Sequence, residues 1–141
     1  DGLKRMVSCT LASRLEDEVV PVVRPKVLVV DDEDFVREAL TRFLDLRGFE
    51  VDQACDGLEA VQKCEQCDYD VVTMDLEMSR LGGREAIERI RRVNRTLPIV
   101  VLTGYAHVLD GHPLPDVSGV LTKPVSLWKI EAEIRRYLSG A

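Results

Sequence analysis

The strongest constraint on the fold of this chain is the alternation of short apolar runs with segments of helical periodicity. Runs of about five β-branched and aliphatic residues are typical of strands that are buried on both faces. Strands that alternate with helices through short connections favour a parallel sheet with helices on both sides. The sequence therefore predicts an α/β domain, a doubly wound five-stranded parallel sheet. The predicted strands are Lys26–Val30, Phe49–Gln53, Asp70–Met74, Leu97–Leu102 and Val117–Thr122.

The segments between and after these strands show helical patterns. The predicted helices of the domain are Asp34–Arg47, Leu58–Gln66, Arg84–Val93, Tyr105–Leu109 and Leu127–Leu138. Gly48 is a suitable C-terminal residue for the first helix, and Ser126 is a suitable N-cap for the last. The residues that we expect to face the sheet from the first helix are Phe35, Leu40, Phe43 and Leu44.

The first 24 residues follow a different pattern. Apolar residues recur at every fourth position from Leu3 to Val19, which predicts an amphipathic helix, and Pro21 and Pro25 then end it in a stiff linker. We therefore divide the chain into an N-terminal helix and linker, residues 1–24, and a domain, residues 25–141. The helix either packs on its own domain or serves as a dimerisation or signalling helix. The first residue is Asp1 rather than Met, which favours a piece of a longer protein.

The composition excludes several classes of function. The 141 residues allow one domain with a short appendage. A net charge of −6 argues against a broad nucleic-acid-binding face, and no apolar stretch approaches the ~20 residues of a membrane-spanning helix. Cys64 and Cys67 form a C-x-x-C pair without a second pair or a nearby histidine, so a zinc or redox role is disfavoured. A reducing, cytoplasmic location is expected.

Polar residues follow the predicted strands at the point where each strand ends. Asp31 and Asp32 follow the first strand, Asp75 the third, Thr103 the fourth and Lys123 the fifth. The carboxyl ends of parallel strands meet at one edge of a sheet, which is where doubly wound domains bind ligands. Three carboxylates at one edge repel each other unless a cation joins them. Lys123 and a hard divalent cation would supply that charge, and the combination indicates phosphoryl chemistry.

These residues strongly resemble those of the receiver domain of two-component response regulators. The resemblance covers Lys26 to about Leu138 and includes the order and approximate spacing of all the family's site residues. It implies a flavodoxin-like fold with strand order 2-1-3-4-5. The segments that carry it are Val29–Glu33, Met74–Met78, Gly83, Thr103–Gly104 and Lys123–Pro124.

The resemblance implies a role for each site residue. Asp75 would be the phosphoacceptor, whose carboxylate attacks phosphorus and becomes an acyl phosphate. Asp32, Asp75 and the backbone carbonyl of Glu77 would hold Mg²⁺, and Asp31 would bind it mainly through water. Lys123 would contact a phosphoryl oxygen. The Thr103 hydroxyl would donate a hydrogen bond to the phosphoryl group, and the Lys123–Pro124 peptide bond would be cis.

The same resemblance implies the partners. The donor would be a phosphohistidine on a histidine kinase or a histidine phosphotransfer protein, or a small phosphodonor such as acetyl phosphate. No P-loop is present, so direct use of ATP is not expected. The chain would be a cytoplasmic signalling domain rather than an enzyme, without direct nucleic-acid or membrane contact. It would be a stand-alone regulator or the receiver of a hybrid histidine kinase, and the N-terminal helix leaves a homodimer open.

The chain departs from the family at several positions. Ser79 stands where a proline is usual, Val120 where Tyr or Phe is usual, and Pro113 and Pro115 shorten the helix predicted after Thr103. These changes lie beside the phosphoacceptor or on the face that many receivers use for output. We therefore predict that phosphorylation still occurs at Asp75 but that output does not use an aromatic switch.

The residue two positions beyond the phosphoacceptor bears on both the lifetime of the acyl phosphate and the alternatives. Glu77 and Tyr105 are expected to flank an attacking water and to set that lifetime. One alternative function is a pseudo-receiver, an interaction module that never accepts phosphate. The other is a Mg²⁺-dependent phosphohydrolase with Asp75 as nucleophile, although Glu77 is an imperfect replacement for the second Asp of such enzymes.

Overall fold

The computed structural model describes residues 23–78, 80–104, 114 and 116–138. These residues contain a five-stranded, all-parallel sheet in the order β2-β1-β3-β4-β5. The predicted fold class and strand order are therefore confirmed. The helices predicted at Leu3–Val19 and Tyr105–Leu109 lie outside the described residues. The strands are β1 Lys26–Val30, β2 Glu50–Ala54, β3 Val71–Asp75, β4 Ile99–Thr103 and β5 Gly119–Thr122.

Four helices complete the described part of the domain. They are α1 Asp34–Leu46, α2 Gly57–Gln66, α3 Gly83–Val93 and α4 Leu127–Arg136. The Ser126 hydroxyl accepts a hydrogen bond from the Lys129 N–H at 3.1 Å, so the predicted cap of the last helix is confirmed. Gly48 follows α1 with a φ of +99°, a left-handed conformation that glycine adopts without strain. No helix in the described ranges is long and apolar enough to cross a membrane.

Three strands, β2, β3 and β4, end one residue later than predicted, and in β3 and β4 this changes where the site residues lie. Asp75 is the last residue of β3 and pairs with Leu102, and Thr103 is the last residue of β4 and pairs with Thr122. The prediction ended β3 and β4 at their last apolar residue. Backbone pairing does not require an apolar side chain, so the ladder continues through both polar residues. Asp75 and Thr103 are consequently fixed by the sheet rather than by loops.

The core consists of two apolar layers, one on each face of the sheet. Side chains of β-strands alternate between faces, so successive residues of β1 and β3 contribute to different layers. One layer packs against α2 and α3 and includes Leu28, Val30, Val72, Met74, Ala60, Cys64, Ile87 and Ile90. The other packs against α1 and α4 and includes Val27, Val29, Val71, Leu40, Leu44, Ile130 and Ile134. In the first layer, burial raises the pKa of the Cys64 thiol to about 12, which agrees with a structural role for this cysteine.

The prediction for the inner face of α1 is wrong at Phe35. Leu40 and Leu44 are buried as expected, but the side chain of Phe35 is 87% exposed. Phe35 precedes Leu40 by five residues, which turns it about 140° away on a helix of 3.6 residues per turn. It therefore points to solvent from the first turn of α1. Phe43 is half-buried and packs edge-on against Trp128, with ring centroids 5.0 Å apart.

The described chain enters the domain at the amino end of the sheet. The Arg24 guanidinium donates hydrogen bonds to the carbonyl oxygens of Asp45 at 2.9 Å, Gly48 at 3.3 Å and Phe49 at 2.5 Å. These carbonyls lie in the last turn of α1 and just after it, near the helix C-terminus, where a positive charge is stabilising. Arg24 thus fixes the chain that leads into β1 to the end of the domain that lies away from the predicted site.

Candidate functional site

Asp75 lies at the centre of the carboxyl edge of the sheet and is 1% exposed. The Lys123 ammonium donates a hydrogen bond to its Oδ1 atom at 2.8 Å, and the Glu77 N–H donates to the same oxygen at 3.2 Å. The Lys123–Pro124 bond that follows β5 is cis, as the resemblance implied. Asp75 ends β3 and Lys123 follows β5, two strands that are separated by β4 alone, and both residues lie at the carboxyl edge of the sheet.

The other two predicted acids lie beside Asp75. Asp31, Asp32 and Asp75 each offer one carboxylate oxygen, and these three oxygens lie within 4.8 Å of one another. Asp31 is buried and its Oδ1 atom accepts a hydrogen bond from the Glu33 N–H at 2.9 Å, whereas Asp32 is half-buried. Three convergent carboxylates form the donor set that a hard divalent cation prefers. The residues present therefore fit Mg²⁺.

The electrostatics of the pair Asp75 and Lys123 agree with this excess of negative charge. Burial raises the pKa of Asp75 to about 6, against the opposing effect of Lys123, and the charge of Asp31 adds to the rise. Burial alone would lower the pKa of Lys123, but the hydrogen bond and charge of Asp75 outweigh it and raise the pKa. Lys123 therefore stays charged. Its single positive charge does not balance the three carboxylates of Asp31, Asp32 and Asp75.

Thr103 and Glu77 form a contact that the sequence did not predict. The Thr103 side chain is fully buried, and its hydroxyl donates a hydrogen bond of 2.5 Å to Oε2 of Glu77. The Gly104 N–H donates to Oε1 of the same carboxylate at 3.0 Å. We call this arrangement of Glu77, Thr103 and Gly104 the Glu77 bridge. No local pattern predicts it, because it requires Glu77, which follows β3, to meet the end of β4.

Arg37 is a second residue that the sequence reasoning missed. Its guanidinium donates to the backbone carbonyl of Asp31 at 2.8 Å, to the Gln53 side chain at 2.9 Å and to the Asp34 carboxylate at 2.7 Å. It thereby ties the end of β1 to the neighbouring edge strand β2 and to α1. A long cationic side chain six residues after Asp31, on the helix that starts at the site, was the available signal.

Gly83 has a steric role at the site. A Cβ atom on Gly83 would lie 2.7 Å from the backbone oxygen of Asp75 and 2.9 Å from the Cα atom of Leu76. Any larger residue would push the start of α3 away from the loop that follows Asp75. The close approach is the physical reason for a glycine eight residues after the acid.

An apolar groove of about 460 Å³ opens beside the acids, between α1 and α4. Asp31 and Lys123 form its polar margin. Val36, which follows the exposed Phe35, is 44% exposed at its rim. The rest of its lining is Leu40, Leu102, Pro124, Val125, Leu127 and Ile130.

The fold and the acidic edge define a doubly wound α/β domain with a site at the carboxyl ends of its strands. A family model described as the response regulator receiver domain matches residues 27–135. The chain belongs to this family and is thus a phospho-accepting receiver domain of two-component signalling. Receiver domains generally bind Mg²⁺ at an acidic pocket, and response regulators interact with histidine kinases or phosphotransfer proteins.

Individual relatives agree with the family match. The response regulator MprA of Mycobacterium leprae is 36% identical over 115 residues, which are 80% of this chain and 50% of that protein. The structure of TrrA from Thermotoga maritima, in complex with Mg²⁺ and BeF, is 30% identical with a TM-score of 0.74 and covers 80% of this chain and 98% of that one. The receiver domain of the hybrid histidine kinase CckA is 29% identical with a TM-score of 0.69 and covers the same shares. The chain spans about half the length of the curated relatives it matches.

Proposed function

We propose that the chain accepts a phosphoryl group on the Asp75 carboxylate from a phosphohistidine donor. The observation that carries this assignment is the placement of Asp75, buried at the middle of the acidic edge with the Lys123 ammonium 2.8 Å away. A carboxylate oxygen forms the new bond to phosphorus while the phosphorus–nitrogen bond breaks, and the departing imidazole nitrogen keeps the electron pair. With acetyl phosphate, a phosphorus–oxygen bond breaks instead.

Mg²⁺ would be held by Asp32, Asp75 and the backbone carbonyl of Glu77, with Asp31 acting mainly through water. The spacing of the three carboxylates, within 4.8 Å, supports this ligand set. When bound, the ion supplies positive charge that offsets repulsion between the acids and the incoming phosphoryl oxygens.

The remaining side chains act on the phosphoryl group directly. Lys123 is already oriented toward Asp75, so its ammonium can neutralise charge on a phosphoryl oxygen without a large rearrangement. Thr103 lies at the adjacent strand end, and its hydroxyl would donate a hydrogen bond to the transferred group. Burial of Asp75 limits access of water to the acceptor oxygen.

The donor would be a histidine kinase or a histidine phosphotransfer protein, with acetyl phosphate as a small-molecule substitute. The apolar groove beside Asp31 and Lys123, together with the exposed Phe35, provides a contact surface at the site for such a protein. Output would occur through changed protein contacts rather than through turnover of an external substrate, in the cytoplasm. A homodimer through the helix predicted at Leu3–Val19 concerns residues outside those described.

Val120 supports an output without an aromatic switch. It lies within β5, is 40% exposed and pairs with Val101, so no aromatic ring occupies this position of the strand that pairs with β4. The largest phosphorylation-dependent NMR shifts are therefore expected away from Val120.

The further hypothesis that Glu77 and Tyr105 set the lifetime of the acyl phosphate predicts faster or slower dephosphorylation in the Glu77→Ala, Tyr105→Ala double variant. Tyr105 lies outside the described residues.

One labelling experiment tests the proposed function. The protein is incubated with acetyl phosphate and Mg²⁺ and its intact mass is measured, with the isosteric Asp75→Asn variant as control. We expect a gain of one phosphoryl group per chain that is absent in the variant and after chelation of Mg²⁺. Absence of labelling in the wild type would instead support a pseudo-receiver, and multiple turnover of a phosphate ester would support a phosphohydrolase.

A further inference from the structure

We infer that Glu77 is a positioning residue that competes with the phosphoryl group for Thr103. In the unphosphorylated protein, the Glu77 carboxylate accepts hydrogen bonds from the Thr103 hydroxyl and the Gly104 amide. Phosphorylation of Asp75 breaks both hydrogen bonds. The inference rests on the proposed function, because it concerns the group that Asp75 would carry. It adds to that function a means by which the loop after β4 senses phosphorylation.

The first argument is the donor capacity of Thr103. A hydroxyl has one hydrogen and donates to one acceptor at a time. In this structure the Thr103 hydroxyl donates to Oε2 of Glu77 at 2.5 Å. A hydrogen bond from Thr103 to a phosphoryl oxygen on Asp75 therefore requires that the bond to Glu77 be broken. Thr103 is fully buried, so its hydroxyl donates to one of these two acceptors rather than to water.

The second argument is charge. The Glu77 N–H donates to Oδ1 of Asp75 at 3.2 Å, so the two residues are held next to each other by the backbone. Phosphorylation adds negative charge at Asp75, and the Glu77 charge already acts on Lys123, which contacts Asp75. Like charges repel more strongly in a partly buried site than in water. The Glu77 side chain is half-buried and connected to a loop, so outward rotation relieves the repulsion.

The third argument is that the bridge extends to the backbone. The Gly104 N–H donates to Oε1 of Glu77 at 3.0 Å. When the carboxylate leaves, Gly104 loses this acceptor at the point where the chain leaves β4. The hydrogen-bond exchange thus reaches the loop after β4 directly. It does not require an aromatic side chain at position 120, where this chain has valine.

The test is a double-mutant cycle on beryllofluoride binding at saturating Mg²⁺. The four proteins are the wild type, Glu77→Ala, Thr103→Val and the double variant, and the dissociation constants are measured by NMR titration. Removing Glu77 removes both a competitor and a negative charge, so the affinity is expected to rise roughly fivefold when Thr103 is present. Thr103→Val has no hydroxyl to release, so the gain from Glu77→Ala is expected to fall well below that value in its background. Any gain in affinity that remains in the Thr103→Val background measures the effect of removing the Glu77 charge.

The amide resonance of Gly104 gives a second measurement that does not depend on affinity. In the ligand-free protein, Glu77→Ala is expected to move this resonance in the direction in which beryllofluoride moves it in the wild type. Glu77→Gln keeps one oxygen acceptor and should produce a smaller shift. Equal affinity gains in both Thr103 backgrounds, or a Gly104 resonance unmoved by beryllofluoride, would overturn this inference without contradicting the proposed function. If beryllofluoride fails to bind the wild type, the proposed function itself is wrong and the inference fails with it.

Discussion

The two ends of the sheet each bring a lysine together with three acids, but they do so to opposite effect. At the amino end, the Lys26 ammonium lies 3.8 Å from both Glu50 and Asp52, and its backbone N–H donates to Asp70 at 2.7 Å. The Asp52 carboxylate also accepts a hydrogen bond from the Tyr69 hydroxyl at 2.7 Å. The lysine is buried here, while the side chains of Glu50 and Asp52 are partly open to water.

At the carboxyl end the burial is reversed. The Asp75 side chain is 2% exposed and the Lys123 side chain is 30% exposed, and Asp31 is buried with Asp75. The amino end lets its acids reach water, which reduces the cost of placing like charges together. The carboxyl end buries two of its acids, Asp31 and Asp75, and has three acids for one lysine. This difference suits the first cluster to the stability of the fold and the second to the cation binding proposed above.

The largest effect that can break this comparison is the loss of phosphorylation, which is expected when an acid is removed at the carboxyl end but not when one is removed at the amino end. Asp75→Asn is expected to abolish phosphorylation and to raise the free energy of unfolding by about 1 kcal/mol, because it removes a buried like charge. Asp52→Asn should leave phosphorylation intact and lower the free energy of unfolding by about 1 kcal/mol, because it weakens contacts to Lys26 and Tyr69. Urea denaturation without Mg²⁺ measures both values. The same sign for the two variants would contradict the distinction.

Adding Mg²⁺ to the same denaturation series provides a second comparison, namely how strongly the ion stabilises variants at each end of the sheet. A ligand that binds only the native state stabilises it, so Mg²⁺ should raise the urea midpoint of the wild type and of Asp52→Asn. Asp75→Asn should respond far less, since it lacks one of the proposed ligands.

The next effect concerns the lysines. Lys26→Met keeps most of the apolar stem but leaves the acids around it uncompensated, so a loss of about 2 kcal/mol in unfolding free energy is expected with phosphorylation retained. Lys123→Met is the matched substitution and should prevent labelling of Asp75 by acetyl phosphate. Thermal or urea unfolding and intact-mass analysis of both variants provide the measurement. A phosphorylation defect in Lys26→Met would show that the two ends are not independent.

The smallest effect lies midway between the two ends, at Thr73 in β3. This side chain is 1% exposed, and its hydroxyl has no hydrogen-bond partner in the described part of the chain. Its neighbours across the sheet are Val29 and Val100, so Thr73→Val is expected to raise the free energy of unfolding by about 1 kcal/mol. The Thr103 hydroxyl, by contrast, is hydrogen-bonded to Glu77, so Thr103→Val should not raise the free energy of unfolding. A destabilised Thr73→Val would show that this hydroxyl has a partner in solution.

The sequence predicted the fold and the composition of the site because both depend on local patterns. Apolar runs of strand length marked the sheet, and the residue at each strand end identified Asp31, Asp75, Thr103 and Lys123 as neighbours at one edge. Parallel pairing then fixes their proximity without further information. Strand ends were less predictable, because the ladder continues through Asp75 and Thr103 regardless of their polarity.

What the sequence could not predict depends on contacts between loops or on helix rotation. The side chain of Glu77 was assigned a part in the lifetime of the acyl phosphate, but its contacts with Thr103 and Gly104 arise only when two loops meet. Phe35 was placed on the buried face because it is apolar, although its angular position on α1 directs it to solvent. Whether an aromatic residue in the first turn of a helix is buried depends on its neighbours in the folded structure, which the local sequence does not reveal.

The anchoring of Arg24 has a consequence for how such a domain can be joined to others. Arg24 holds the incoming chain at the amino end of the sheet, and α4 returns the outgoing chain to that end, where Arg135 donates to the Arg47 carbonyl at 3.0 Å. Both junctions of the described domain are therefore on one side, and the acids are on the other. A neighbouring module joined at either junction would therefore attach at the end of the sheet opposite Asp75, so the same carboxyl edge is compatible with chains of different architecture.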